Sequence, residues 1–157
     1  MKPSSTADSY PWPELNDRPR FNVVILYEDI AAGKRAKLLY DRVIRELVDE
    51  WDFGLELWNF RVLAVPEIGN SAAKAAAQAD FVIVSMYRKA QLSAQTRDWI
   101  EKWSGLITDN KSALVALLDQ PVLRRGTVTS TLDYLRKVAE RKGISFYTHT
   151  TFGLSTN

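Results

Sequence analysis

Five short apolar runs, each ending in a polar cluster, constrain what this chain can fold into. Segments of helical character join four of them. The runs cover residues 21–27, 55–60, 81–84, 113–118 and 144–147. Alternation of this kind is typical of a parallel β-sheet with helices on both faces. The sequence therefore predicts an α/β fold, a single three-layer α/β/α domain with a five-stranded parallel sheet.

The charge and length of the chain limit its partners. At 157 residues it has the size of one domain, and 21 basic against 19 acidic side chains leave a net charge of +2. So small an excess gives no electrostatic argument for a nucleic-acid or membrane partner. We expect that the protein binds neither nucleic acid nor membrane and that it has a protein partner. Formation of a homodimer remains possible.

The chain has no cysteine, which excludes disulfides, thiolate metal sites and cysteine nucleophiles. Its first residues contain no apolar leader, and no later apolar run approaches the ~20 residues of a membrane span. A reducing compartment fits both observations. We expect a soluble, cytoplasmic protein.

Proline marks the first of three predicted parts. Residues 1–20 hold four of the six prolines and form a tail, residues 21–150 form the domain, and residues 151–157 form a C-terminal tail. Trp12 lies between two of these prolines. It is predicted to dock on the domain, because a large aromatic side chain usually finds apolar surface, rather than to serve a partner.

Apolar spacing places four helices. They cover residues 30–50, residues 71–79, a segment from Ser93 or Thr96 to Trp103, and a last helix that opens near Thr129 and closes at Lys142 and Gly143. Trp99 and Trp103 lie four residues apart in the third helix and share one face. We expect at least one of them to be buried.

In folds of this kind, ligands bind at the carboxyl ends of the strands. The residues predicted there, as candidate ligand contacts, are Glu28, Asp29, Ser85, Tyr87, Arg88 and Asp119. No cofactor can be named from them. Flavin binding stays open, because flavodoxin-like sites use loops with weak sequence signatures.

Glu28 and Asp29 follow the first strand, so their oxygens could hold Mg²⁺. The favoured interpretation is that one of them caps the long helix, and no metal site is predicted. The basic loop at Arg88 could bind an anion, although such loops are mostly solvated. No glycine-rich phosphate loop is present. The single histidine, His149, has no second histidine or cysteine to complete a metal site.

The order of elements over residues 20–150 resembles the response-regulator receiver fold. Receiver domains carry an acidic pair after the first strand, a phosphoacceptor Asp ending the third, Ser or Thr ending the fourth and Lys ending the fifth. Glu28 and Asp29 match the acidic pair, whereas the third strand ends at Ser85, the fourth ends at Asp119 and the fifth has no lysine. The resemblance implies a flavodoxin-like sheet of order 2-1-3-4-5, without phosphotransfer.

A second resemblance is to TIR domains, a family of signalling and NAD-cleaving domains. Residues 21–29 are similar to their opening strand, and residues 79–85, with the following Ser93 and Trp99, to a later strand and its tryptophan-bearing helix. The catalytic glutamate of that family lies on this helix.

This second resemblance makes Glu101 and Asp98 the candidate catalytic residues, with Arg88 as an anion contact. Their spacing from Ser85 is longer than the family pattern. The leading expectation is a non-catalytic, receiver-like signalling or interaction module, which makes contact through the third or fourth helix or through the proline-rich tail. The alternative is a TIR-like enzyme that cleaves NAD or another nucleotide.

Overall fold

The structure is a computed structural model, and it describes residues 19–47, 49–86, 91–109, 111–118 and 126–150. For residues 126–129 and 150 it describes the backbone alone. Three predicted contact residues, Tyr87, Arg88 and Asp119, lie outside the described residues, as do both predicted tails up to residue 18 and from residue 151.

Five parallel strands form one sheet. They are β1 (Arg20–Tyr27), β2 (Asp52–Asn59), β3 (Phe81–Met86), β4 (Ala113–Leu118) and β5 (Ser145–Thr150), in the order β2-β1-β3-β4-β5. Every neighbouring pair is parallel. The predicted fold class and strand order are therefore confirmed.

Helices connect the strands. They are α1 (Ile30–Leu47), α2 (Pro66–Ala77), α3 (Ala94–Gly105) and α4 (Gly126–Lys142), with a short 3₁₀ helix (Phe60–Ala64) before α2. None of these described helices combines the length and the apolar character that a membrane span requires.

Several predicted boundaries were wrong by a few residues. β2 begins at Asp52, so residues 52–54, which were predicted to break the first helix, already belong to the strand. β2 ends at Asn59 rather than at Phe60, because Phe60 begins the 3₁₀ helix. α2 begins at Pro66 rather than Ser71, since proline at the first helical position loses no hydrogen bond and has a suitable φ. β3 continues to Met86, which keeps Ser85 inside the strand.

Side chains alternate between the two faces of the sheet, and the helices cover these faces unequally. The chain moves from β1 to β2 toward one edge of the sheet, and from β2 to β3, β4 and β5 toward the other edge. Because crossovers between parallel strands are right-handed, α1 lies on one face of the sheet, and α2, α3 and α4 lie on the other face. We refer to these as the α1 face and the three-helix face.

The two faces bury different amounts of apolar surface. On the three-helix face, strand residues such as Val82, Val84 and Leu114 join a large buried cluster with the three helices. On the α1 face, a smaller cluster joins strand residues such as Ile25 to Ala36 and Tyr40 of α1. One helix of the described chain therefore covers a face that spans five strands.

Two tryptophans anchor α3 to α2 on the three-helix face. The indole rings of Trp99 and Trp103 stack with centroids 6.1 Å apart, and the side chains are 3% and 0% exposed. The Trp99 Nε1–H donates to the carbonyl oxygen of Gly69 at 2.9 Å. The expectation that at least one ring is buried is confirmed, and α3 offers no exposed tryptophan pair to a partner.

Asp80 joins the three central strands at their amino ends. Its Oδ2 accepts from the Asn22 N–H at 2.9 Å, and its own N–H donates to the Asn22 carbonyl at 2.8 Å. The Asp80 carbonyl accepts from the Ala113 N–H at 2.9 Å, and Oδ1 lies 3.5 Å from Nζ of Lys111. One residue before β3 thus contacts the starts of both neighbouring strands.

Candidate functional site

Asp29 serves as the N-terminal cap of α1. Its Oδ1 accepts from the Ala32 N–H at 2.9 Å, and its carbonyl accepts from the Gly33 N–H at 2.9 Å. A carboxylate at this place satisfies a free helix N–H and complements the positive end of the helix dipole. This geometry agrees with the capping interpretation of the acidic pair.

Replacing Asp29 with alanine is expected to lower the free energy of unfolding by about 1 kcal/mol, because one helix N–H loses its acceptor. Asp29→Asn is the matched control, since its amide oxygen can still accept that bond. Urea unfolding of both variants measures the difference. A Mg²⁺-dependent gain in stability that Asp29→Ala abolishes would contradict a pure capping role.

Ser85 is buried beside this cap and holds α1 against β3. Its Oγ–H donates to the Ala32 carbonyl at 2.8 Å, and its own carbonyl accepts from the Glu28 N–H at 3.0 Å. The residue is 1% exposed. The structure thus brings Glu28, Asp29 and Ser85 together as predicted, and the contacts of Ser85 and Asp29 fix the start of α1.

The cap also determines which ligands suit this end of the sheet. A helix N-terminus attracts phosphate through free N–H groups and its positive dipole. At α1 the Asp29 carboxylate already takes the Ala32 N–H, and Glu28 adds a second negative charge. Within the described residues, no group of three His, Cys, Asp or Glu side chains could hold a metal ion.

Glu101 lies on the exposed side of α3 and is tied to α4. Its carboxylate accepts from the Tyr134 hydroxyl at 2.6 Å and from Arg141 Nη2 at 3.1 and 3.2 Å. The hydrogen bond from Tyr134, followed by that from Arg141, lowers the pKa of Glu101. Glu101 is therefore ionised at neutral pH and ill suited to donate a proton. Asp98, one turn earlier, is exposed.

A groove on the α1 face is a feature of the described residues that the sequence did not predict. It encloses about 510 Å³ between α1 and the edge strand β5. Its floor includes one residue from each of four strands, namely Val23, Ile83, Val115 and Tyr147. We call it the apolar groove.

The wall and the amino end of the apolar groove are apolar as well. Leu39, Tyr40, Val43 and Leu47 of α1 form the wall. The amino end is a cluster of rings in which Phe21 lies 5.6 Å from Trp51, 5.7 Å from Phe53 and 5.1 Å from Phe81 between centroids.

Large apolar side chains at the groove remain in contact with solvent in the described part of the chain. Tyr147 is 54% exposed, Val43 42% and Leu47 37%. Scattered apolar residues are normal on a surface, but a contiguous apolar patch marks a place where another molecule or segment packs. The groove therefore has the character of a contact surface.

His149 is a titratable residue at this largely apolar groove. Its Nε2 is buried and has no hydrogen-bond partner among the described residues. Burial, followed by the positive charge of Arg42, lowers the pKa of this imidazole. The neutral imidazole is thus the form that suits the folded protein.

We expect the protein to lose stability as the pH falls below about 6.5, the pKa of histidine in an unfolded chain. The unfolded state then binds a proton that the folded state binds only at lower pH, because the pKa of His149 is lowered. Unfolding midpoints between about pH 7.5 and 5 measure this dependence. His149→Gln should flatten it, and since the chain has one histidine, an unchanged profile would contradict the assignment.

Comparison with known proteins shows the fold alone. No family model and no curated protein matches this chain. Among solved structures, a flavodoxin of Streptococcus pneumoniae is similar with a TM-score of 0.55 and 11% identity, over 83% of each chain. The fold is flavodoxin-like.

Two further solved structures agree with it. A short-chain flavodoxin associated with a non-canonical PDU bacterial microcompartment has a TM-score of 0.54 and 10% identity, covering 84% of this chain and 83% of its own. An NADH:FMN oxidoreductase in its apo form has a TM-score of 0.51 and 15% identity, covering 86% and 79%. Fold similarity at such identity does not transfer an activity.

Proposed function

We propose that this protein is a non-catalytic, receiver-like interaction module that binds a protein partner through the apolar groove. The observation that carries the proposal is the unequal cover of the sheet, which leaves a groove of about 510 Å³ with Tyr147 and Val43 exposed. Burial of such surface is the main favourable contribution to protein association.

The strand ends support a contact role over a chemical one. Asp29 caps α1, and the Ser85 hydroxyl is buried in a hydrogen bond to the Ala32 carbonyl. A receiver that works by phosphotransfer needs a free acidic group at the end of β3, where this chain has Ser85 and Met86. These contacts at the described strand ends support a role in binding rather than in phosphotransfer.

The charge beside the groove indicates the chemistry of the partner. α1, which forms the groove wall, carries five basic and two acidic side chains. Arg42 of this helix is exposed and acts electrostatically on His149 in the groove. The partner is thus a segment that presents large apolar side chains flanked by acidic residues, so that its rings fill the groove and its carboxylates face α1.

The carboxylate that caps α1 also disfavours a cofactor with a phosphate group at this end of the sheet. The solved structures of similar fold include a flavodoxin and an NADH:FMN oxidoreductase. In this chain, however, the Asp29 carboxylate already occupies the N-terminus of α1, where a phosphate group would otherwise bind. The groove, in turn, offers few polar groups with which to orient a small ligand. We therefore favour a protein ligand over FMN.

A TIR-like nucleotide-cleaving enzyme is the alternative, with Glu101 or Asp98 as the acid. The described chain has a polar depression of about 360 Å³ lined by Arg20, Asn22 and Glu56, among others, and neither candidate acid lines it. Glu101 is instead engaged by Tyr134 and Arg141. These contacts favour the interaction module.

Peptide binding tests the proposal. One synthetic peptide alternates tryptophan and leucine with glutamate, and a matched peptide has lysine in place of every glutamate. We expect the acidic peptide to bind several-fold more tightly, by fluorescence anisotropy, and this preference to shrink at high salt. Tyr147→Glu should abolish binding because it places a negative charge in the groove.

Leu106→Glu is the matched control, since Leu106 is 42% exposed and follows α3, away from the groove. It should leave peptide binding unchanged. Equal binding of both peptides, or equal loss in both variants, would count against the groove. A rise of several degrees in the unfolding temperature with NAD or FMN alone would favour an enzyme instead.

A further inference from the structure

We infer that residues 10–17 of this chain occupy the apolar groove themselves and compete there with the partner. The inference rests on the proposed function, since it assigns a regulator to the same groove. Residues 1–18 lie outside the described part of the chain, and three observations identify them as the occupant: where they join the domain, how far they reach, and what side chains they carry.

The segment joins the domain beside the groove. The Pro19 carbonyl accepts from the Asp52 N–H at 2.9 Å, which fixes the chain at the amino end of β1 and β2. Two residues later, Phe21 already belongs to the ring cluster at the amino end of the groove. Whatever precedes Pro19 therefore starts next to the groove.

The reach of the segment is sufficient. From β1 to β5 the groove crosses three strand spacings, which is roughly 14 Å. Trp12 lies seven residues before Pro19, and an extended chain of that length spans up to about 23 Å. Trp12 can thus reach any part of the groove floor, including Tyr147 at the far edge, without displacing a strand.

The side chains match the groove in both apolar character and charge. Residues 10–17 contain Tyr10, Trp12 and Leu15 together with two acidic residues and no basic one. The groove has apolar walls, which suit these rings. Its wall helix, α1, carries five basic and two acidic side chains, which suit the acidic residues of the segment. Residues 151–157 have no charged side chain and so offer no side-chain carboxylate to this helix.

Prolines on either side of Trp12 add a further reason. Pro11 and Pro13 have no backbone N–H, so the segment brings fewer unpaired donors onto an apolar surface. Their fixed φ also reduces the conformational entropy that docking removes. A partner must then displace the segment, and its apparent dissociation constant rises about tenfold if the groove is occupied nine-tenths of the time.

Site-specific cross-linking tests the inference on the full chain. The protein has no cysteine, so Asn16→Cys can be paired with one cysteine in the domain and treated with a short bismaleimide. Val43→Cys places the second thiol at the groove wall. Gln78→Cys is the matched control, because Gln78 is exposed near Arg20 at the same end of the sheet but on the three-helix face.

We expect the Val43 pair to cross-link within one chain about tenfold faster than the Gln78 pair. Adding Trp12→Ala should bring the two rates together. Trp12 precedes β1, the first element of the described sheet, so we expect the variant to fold. Equal rates in the parent pairs would overturn the inference. Cross-linked dimers would do so as well, because they would make a second copy of the chain the occupant.

The peptide assay separates this inference from the proposed function. If the segment competes, Trp12→Ala should bind the acidic peptide about tenfold more tightly than the parent chain. Equal binding by both chains, with equal cross-linking rates, would overturn the inference and leave the interaction module standing. Fast cross-linking at Val43 without peptide binding to Trp12→Ala would support segment docking and count against a partner in the groove.

Discussion

Trp99→Ala is expected to lower the free energy of unfolding by about 3–5 kcal/mol, the range found when a large buried aromatic side chain is truncated. Trp99 is 3% exposed, so the variant leaves a cavity between α2 and α3. It also removes the stacking partner of Trp103 and the indole N–H that reaches the Gly69 carbonyl. For a domain of this size, such a loss lowers the unfolding temperature by roughly 10 °C or more.

Trp99→Phe separates the hydrogen bond from the packing. It retains an aromatic ring but has no N–H to donate to Gly69. Its cost should be nearer 1–2 kcal/mol, the sum of a lost hydrogen bond and a smaller cavity. Both values come from chemical unfolding followed by far-UV circular dichroism. A loss below about 1 kcal/mol for Trp99→Ala would contradict the buried position of this ring.

Gly69→Ala is expected to be almost as disruptive, although alanine normally favours a helix. A Cβ at this position of α2 would overlap the carbonyl oxygen of Leu63, which belongs to the backbone of the 3₁₀ helix. A backbone atom cannot rotate away as a side chain can, so the two helices must separate. We expect a net loss of roughly 2–3 kcal/mol, in which overpacking outweighs the helical preference of alanine.

Gly105→Ala provides the matched control for this second variant. Gly105 ends α3, and nothing lies within 4 Å of the Cβ that alanine would add there. The substitution should be neutral or stabilise by a few tenths to about 1 kcal/mol, because it restricts the unfolded chain. Thermal unfolding of the two variants side by side makes the comparison. Equal effects would show that the contact between Gly69 and Leu63 is not as close as described.

The fold could be predicted because its signals are local. Five apolar runs of strand length and four amphipathic segments follow from residue order alone, and their alternation leads to a parallel sheet. The boundaries were harder to place. Pro66 looks like a helix breaker in sequence but begins α2, and Asp52 looks like a turn residue but pairs with Arg20 in the sheet. The start of α2 follows from the suitability of proline for the first helical position, whereas the pairing of Asp52 depends on a strand far along the chain.

The apolar groove was missed for a different reason. Phe21, Ile83, Val115 and Tyr147 were all placed in strands, but sequence periodicity does not say whether a strand face is covered. A signal was nevertheless present in the predicted order 2-1-3-4-5. With right-handed crossovers, that order puts one connecting helix on one face and three on the other, so unequal cover follows before any side chain is placed.

The candidate acids show where pattern and geometry diverge. A helix cap was assigned to either Glu28 or Asp29 from their position before an amphipathic helix, and the contact of Asp29 with the Ala32 N–H agrees. The hydrogen bonds of Glu101 to Tyr134 and Arg141 join residues 33 and 40 positions apart. No local pattern reports such partners, because they depend on how α3 and α4 lie against each other.

Asp80 has a consequence for how the chain reaches this structure. Parallel strands cannot form by a simple hairpin, so their alignment must be chosen between segments far apart in the sequence. Asp80 lies 58 residues from Asn22 and accepts its N–H, while its carbonyl receives the Ala113 N–H at the start of β4. A shift of either strand by one residue would break these bonds and reverse which side chains point inward. Asp80 thus favours the correct register of β1 through its carboxylate and that of β4 through its backbone carbonyl, so a misaligned pairing on either side of β3 is penalised as the sheet forms.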